Sequence, residues 1–291
     1  MRPSPPTAAF ALLSVLSVAA CGTDRPPATG GVGASAATSA SGPEVTAQGT
    51  LMQDSSTSPV ELCVGPVVAS HPPQCSGPTL VGDVDWDAVG PERALGRTFS
   101  SSSVWVVGRF DPDAGRWGTV TLTRPVSRTA PPGVSVPSPT ARTFPQLCDD
   151  PYGGGGRAGG GSADQQNALH ELLPTIDGYV TSWVSDGSSL LNVLVTGDAD
   201  PVLSELRRHW TGGLCVERRD LPTEKEVFAA RDALRARFDI LSMGGGGSTG
   251  GLDVHVMALD TQTLEEILGT VRPWLAPEHV RVTSEFQPVP L

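Results

Sequence analysis

Apolar and polar positions alternate in short runs between residues 49 and 126. Thr50-Leu51-Met52, Pro59–Cys63 and Thr79–Gly82 have strand lengths, and Ser103–Phe110 is a longer run rich in Val, Trp and Phe. The segment DPDAGRWG supplies turn residues and Thr119–Thr123 alternates again, so residues 103–124 predict a β-hairpin. A small, mostly β module, a sandwich or a partly open barrel, is expected over 49–126. From residue 164 the period lengthens. Ala163–Leu173, Asp200–Trp210, a stretch from Thr223 to about Phe238, and Thr261–Val271 have helical spacing. Tyr179–Ser185, Leu190–Val195, Gly213–Arg219, Ile240–Met243, Leu252–Leu259 and His279–Phe286 read as strands. Thr223 and Glu226 form a capping box, and Val227, Ala230, Leu234 and Phe238 fall on one helix face. Both halves read α-β-β-α-β, with Asp198 and Asp260 at equivalent strand-to-helix corners. The expected class is α+β: the β module followed by a duplicated α-β-β-α-β domain over 164–291, helices on one face of a mainly antiparallel sheet.

The stretches between these patterns are of another kind. Residues 22–48 hold almost no large apolar side chains, too little to offset the entropy of ordering, so 21–48 reads as a disordered tether. Residues 127–163 form a Pro/Gly-rich linker, with GGGGRAGGG at 153–161. Ahead of the tether, Arg2 is the only charge before a run of 13 uncharged residues, 8–20 (AAFALLSVLSVAA). That run is shorter than the roughly 20 residues needed to span a bilayer, and it has the length of a signal-peptide core. It ends in Val18-Ala19-Ala20-Cys21.

Residues 1–20 with Cys21 resemble a bacterial lipoprotein signal, in which a small residue precedes a cysteine that is lipidated and becomes the new N-terminus. The resemblance implies acylation of Cys21, palmitate among the acyl groups, and a chain held outside the cytoplasm on the cell membrane by two or more acyl chains, as stable anchoring requires. ELCVGPVVASHPPQCSGPTLVG, LCDDPYGGG and the C-terminal VRVTSEFQPV are also similar to uncharacterised actinobacterial lipoproteins. That likeness implies export and the domain layout and brings no activity with it.

With Cys21 assigned to lipid, Cys63, Cys75, Cys148 and Cys215 remain, and an exported chain can oxidise them. Four cysteines allow three pairings. The short, turn-rich loop between Cys63 and Cys75 favours that bridge, which leaves Cys148–Cys215. Loss of residues 1–20 leaves 19 basic against 31 acidic residues, a net charge of −12. Such a surface argues against nucleic acid and against electrostatic docking on anionic lipid. Lys225 is the only lysine, which reads as GC-rich codon bias and not as an anion-binding set of arginines.

The motifs that could carry chemistry fail on context. Gly246–Gly250 matches G-x-S-x-G around Ser248, but a strand follows where a nucleophile elbow needs a helix. Gly154–Gly159 and Gly245–Gly250 match G-x-G-x-x-G without the strand before or the helix after. Asp83-Val84-Asp85-Trp86-Asp87 has calcium-loop spacing, but Ala88 and Ala94 stand where glycine and glutamate belong, so it reads as an acidic turn around Trp86. His170-Glu171 begins H-E-x-x-H and Pro174 ends it. His255, between Val254 and Val256, reads as facing the wet side of its sheet. The six tryptophans read mostly as core; for Trp105 and Trp117, which flank the hairpin, a contact surface on an open β face is the alternative to a core role. No cofactor and no metal are expected. The leading reading is an exported, membrane-anchored binding module whose partner is another envelope protein. The alternatives are an envelope hydrolase with a dispersed Ser/His/Asp site and a carrier of a small apolar ligand.

Overall fold

The first strand, β1 (Glu44–Gln53), is long enough to be shared by four neighbours, and this organises the N-terminal sheet. The structure is a computed structural model that describes residues 42–64, 70–134, 144–245 and 247–290. The expected signal peptide, Cys21 and most of the expected tether lie outside the described residues. β1 itself begins inside the stretch expected to be tether.

β2 (Val60–Cys63), β3 (Thr79–Val81), β6 (Val104–Asp111) and β7 (Thr119–Leu122) join β1 in a closed ring. Within it β1 pairs β2, β2 pairs β3, β3 runs parallel to β7, and β7 and β6 return antiparallel to β1. That connectivity is the one by which an OB-fold barrel joins its strands. Leu51, Leu62, Val104, Val106 and Val120 fill the interior with no exposure. They come from alternate positions, as the period of a strand requires. The ring closes tightly because Gly49 and Gly108 lack a Cβ: one would run into the carbonyl of Cys63 and the other into that of Thr121. A one-turn helix, α1 (Trp86–Val89), caps the barrel with buried Val89, and Asp85 Oδ1 accepts from the backbone N–H of Asp87 and Ala88 at 3.1 and 3.2 Å. The acidic stretch is thus a helix cap around Trp86. A further hairpin, β4 (Pro91–Ala94) and β5 (Arg97–Ser100), extends the sheet beyond β1.

The rest of the chain alternates helices and strands. α2 (Ala163–Leu172), β8 (Tyr179–Val184), β9 (Leu190–Val195), α3 (Ala199–His209) and β10 (Gly213–Arg218) form the first set. The second is α4 (Glu224–Arg235), β11 (Ile240–Gly245), β12 (Leu252–Val256), α5 (Thr261–Val271) and β13 (Val280–Ser284). Where one mainly antiparallel sheet is expected, there are two three-stranded sheets. In each, the central strand takes one antiparallel and one parallel neighbour. The parallel pairings arise because a helix, α3 or α5, crosses over between the strands concerned. Asp198 and Asp260 cap α3 and α5, and Ser162 and Thr223 form capping boxes at α2 and α4. The described chain is therefore mixed α and β, mostly sheet, with five α-helices. Its last strand, β14 (Gln287–Pro288), pairs with β1, and Phe286 packs into the barrel core, stacked on Phe110 at 4.6 Å. Residues 40–291 form one compact unit.

Candidate functional site

Cys63 bonds Cys75 and Cys148 bonds Cys215, the pairing favoured by sequence. The first bridge ties β2 to the segment leading to β3. The second fastens residues 144–148 across the sheet of β9. Two disulfides indicate an oxidising, extracytoplasmic compartment. Among the described residues no helix is long and apolar enough to cross a membrane, and no group of three or more His, Cys, Asp or Glu could hold a metal ion.

Of the two hairpin tryptophans, Trp105 is buried at 6% exposure, its backbone bridged to Ser127, and it offers no contact surface. Trp117, at the end of the β6–β7 turn, is half-buried and lines an apolar cleft of about 180 Å³. The cleft is formed against Phe110, Phe238, Leu241, Met257 and Ala258. Phe238 reaches it because α4 stops at Arg235, short of the expected end. The N–H groups of Arg237 and Phe238 both return to the carbonyl of Leu234 at 3.0 Å, which turns the chain out of the helix. Phe238 still packs against the core of Val227, Ala230 and Leu234, the face to which its spacing assigns it, and it lines the cleft as well. Arg116 lies 5.5 Å over Trp117 and Arg237 5.7 Å over Phe238, so cations cover part of each ring. Sequence reasoning reaches Trp117 and assigns Phe238 to the apolar face of its helix; it misses only that the two rings meet, which the tertiary fold alone brings about.

A second constellation lies on the outer face of the β11–β12–β13 sheet. His255 Nδ1 is 3.0 Å from Thr283 Oγ1, and its Nε2 is 3.0 Å from Glu285 Oε2. The parallel register places Thr283 beside His255, while Glu285, two residues on, shares the face of Thr283. The His255 and Glu285 side chains are 28% and 17% exposed, so the carboxylate end of the row is the more enclosed. A hydroxyl, an imidazole and a carboxylate in series is the order that proton abstraction from a hydroxyl needs. Sequence reasoning puts His255 on the wet face and does not find its partners, because Thr283 and Glu285 are brought to it only by the crossover through α5.

The serine of the G-x-S-x-G match sits in a single 3₁₀ turn, Gly247–Thr249, joining two antiparallel strands. That is a hairpin connection and not a nucleophile elbow. His209 sits in the last turn of α3, 3.5 Å from Glu205. No protein-family model matches the chain, and no curated protein matches it.

Proposed function

We propose that this chain is an exported lipoprotein, anchored to the cell membrane through lipid on Cys21, that acts as a binding module for another envelope protein. The observation that carries the binding reading is the cleft at Trp117 and Phe238. It is apolar, bordered by the rings of Phe110, Trp117 and Phe238, and of a size to take one inserted side chain. Its volume is about 180 Å³. Tryptophan flanked by arginine is the composition in which binding energy concentrates. The two α-β-β-α-β sets, alike in order, pairing sense and capping, are read here as two copies of one unit.

Two experiments test the reading. Cys21→Ala made in the native host should appear in the medium; undiminished membrane retention would end the anchor claim. For the binding surface, the protein solubilised from native membranes after crosslinking should carry a discrete partner. Trp117→Ala should lose at least about tenfold of that capture, as truncating a hot-spot aromatic does. Equal capture by wild type and variant would refute the cleft's role.

A second reading, the envelope hydrolase, rests on the Thr283–His255–Glu285 row. There Thr283 would be the nucleophile, His255 the base and Glu285 its orienter. It ranks second because Thr283 stands on an open sheet face and lines none of the clefts described. A fluorophosphonate probe that labels Thr283 in the wild type and not in His255→Ala would reverse the ranking.

A further inference from the structure

Helix α4 carries side chains that its buried stripe does not use. Val227, Ala230 and Leu234 pack into the core of the second set. Glu224, Phe228 and Arg231 follow at intervals of four and three residues, which puts them on one helix face. That face lines a cleft of about 150 Å³, whose other walls are Val180 and Thr181 of β8 and the glycines around the β11–β12 turn, Gly247 and Gly250 among them. Phe228 is 47% exposed.

Arg231 is the anomaly of the cleft. Its Nε is buried and has no hydrogen-bond partner, and among the described residues the guanidinium makes no ion pair. It lies 5.3 Å over the Phe228 ring instead. Among the described residues Arg207 is the only other one with an unpartnered buried nitrogen, and its remaining donors reach the carbonyls of Pro151, Trp210 and Gly212. A half-buried cation without a counter-charge is costly unless something anionic comes to it. Glu224 presents the opposite charge in the same cleft, and the two do not pair with each other. Burial raises the Glu224 carboxyl above its ordinary value although His170 pulls the other way.

We propose that this cleft binds a free α-amino acid with an apolar side chain. Its carboxylate lies on Arg231, its ammonium on Glu224 and its side chain against Phe228. The charge pattern selects among small ligands. A phosphate or a simple anion would be repelled by Glu224, and a neutral ligand would leave Arg231 bare. A zwitterion meets both groups. The planar guanidinium suits a carboxylate in particular, because two of its N–H groups can match the two oxygens. The cleft is far smaller than a site for a long peptide. This inference does not depend on the export or partner reading.

Calorimetric titration of the full-length protein tests it with four probes: leucine, phenylalanine, leucinamide, which lacks the carboxylate, and N-acetyl-leucine, which lacks the ammonium. Saturable binding of leucine or phenylalanine is expected, with each charge-deleted analogue weaker by about tenfold or more, the usual value of a hydrogen bond to a charged group. Arg231→Gln should erase the preference for leucine over leucinamide, and Glu224→Gln the preference for leucine over N-acetyl-leucine. No saturable binding of either amino acid by the wild type up to about 10 mM overturns the proposal. So does equal binding of all four probes. The probe comparison uses the wild type alone, so a variant that fails to fold leaves the test intact.

Discussion

The central strands of the two α-β-β-α-β sets have the same neighbours and opposite outer faces. In β9, Leu190–Val195, every residue is buried. In β12, Leu252–Val256, buried and half-buried residues alternate. The inward faces are equivalent: Leu191, Val193 and Val195 in one, Leu252, Val254 and Val256 in the other, each packed beneath helices. The outward faces diverge because the segment before α2 crosses only the first sheet. Leu147 packs on Val180, Trp183 and Leu194, and Trp183 Nε1 donates to the carbonyl of Pro145 at 2.8 Å. Asn192, with no exposure, accepts from the Leu147 N–H at 2.9 Å, and the Cys148–Cys215 bridge fastens the strap. Among the described residues the second sheet has no such strap, and its outer face carries Arg281 paired with Asp253 and the His255 row. A strand covered on both faces becomes a continuous apolar run, and one covered on a single face keeps the polar positions from which chemistry can be built.

Cutting the strap should break this contrast most. The bridge spans a sequence separation of 67, for which loop closure gives about 4 kcal/mol. Replacing Cys148 and Cys215 together by serine should therefore lower stability by about 4 kcal/mol, read as the midpoint of urea unfolding. It should also raise amide exchange at Leu147 and expose Trp183 to quenching. An unchanged Trp183 environment would mean that Leu147 and Asn192 hold the strap without the bridge.

A smaller effect compares outward positions on the two strands. Leu194→Ala removes a side chain with no exposure and should cost about 3 kcal/mol through transfer and cavity terms. His255→Ala, at the matching position of β12, removes two partly exposed polar contacts and should cost under about 1 kcal/mol. Thermal melts of the two variants decide it. Similar losses would mean that the second sheet is covered as well.

The same contrast bears on what could be read in the sequence. The strands and helices from 163 onward were legible because period and caps agree: Thr223 with Glu226 marks one start, and Asp260 accepts from the Thr263 N–H at 2.6 Å to mark another. The uninterrupted LLNVLV identifies a buried strand without saying what covers it. The β4–β5 hairpin was not legible. Its turn, Leu95-Gly96, has positive φ at both residues, 52° and 81°, and carries leucine, 88% exposed, where asparagine or aspartate would signal it. The closure of the barrel depends on β1 pairing β2 along one edge and β6 along the other, a long-range fact no local pattern encodes. For the candidate surface, Trp117 was visible from its hairpin. Phe228 was not, though an aromatic one position off a clean apolar stripe is a signal that could have singled it out.

The smallest effect expected lies in the turns that join the central strands to their antiparallel neighbours. In the first set, Asp186 accepts from the N–H groups of Leu190, Ser188 and Ser189 at 2.9, 2.9 and 2.8 Å. These hold its carboxyl well below the ordinary carboxylate range, the Leu190 bond contributing most. A carboxyl whose pKa is lowered on folding adds stability that is present above its unfolded value, near pH 4, and is lost as pH falls toward the folded value. In the second set the turn is shaped by Gly247, Gly250 and Gly251, with φ of 58°, 72° and 83°, conformations that do not titrate. Asp186→Asn should thus destabilise at neutral pH and progressively less as pH falls below 4. Asp186 is exposed, so solvent screening keeps the loss under about 1 kcal/mol. Hydrogen exchange gives the internal control, since protection at Leu190 should depend on acid in the wild type while that at Leu252 should not. A pH-independent gap between wild type and Asp186→Asn would place the effect in the shape of the turn and not in its charge, and the two turns would then differ in sequence alone.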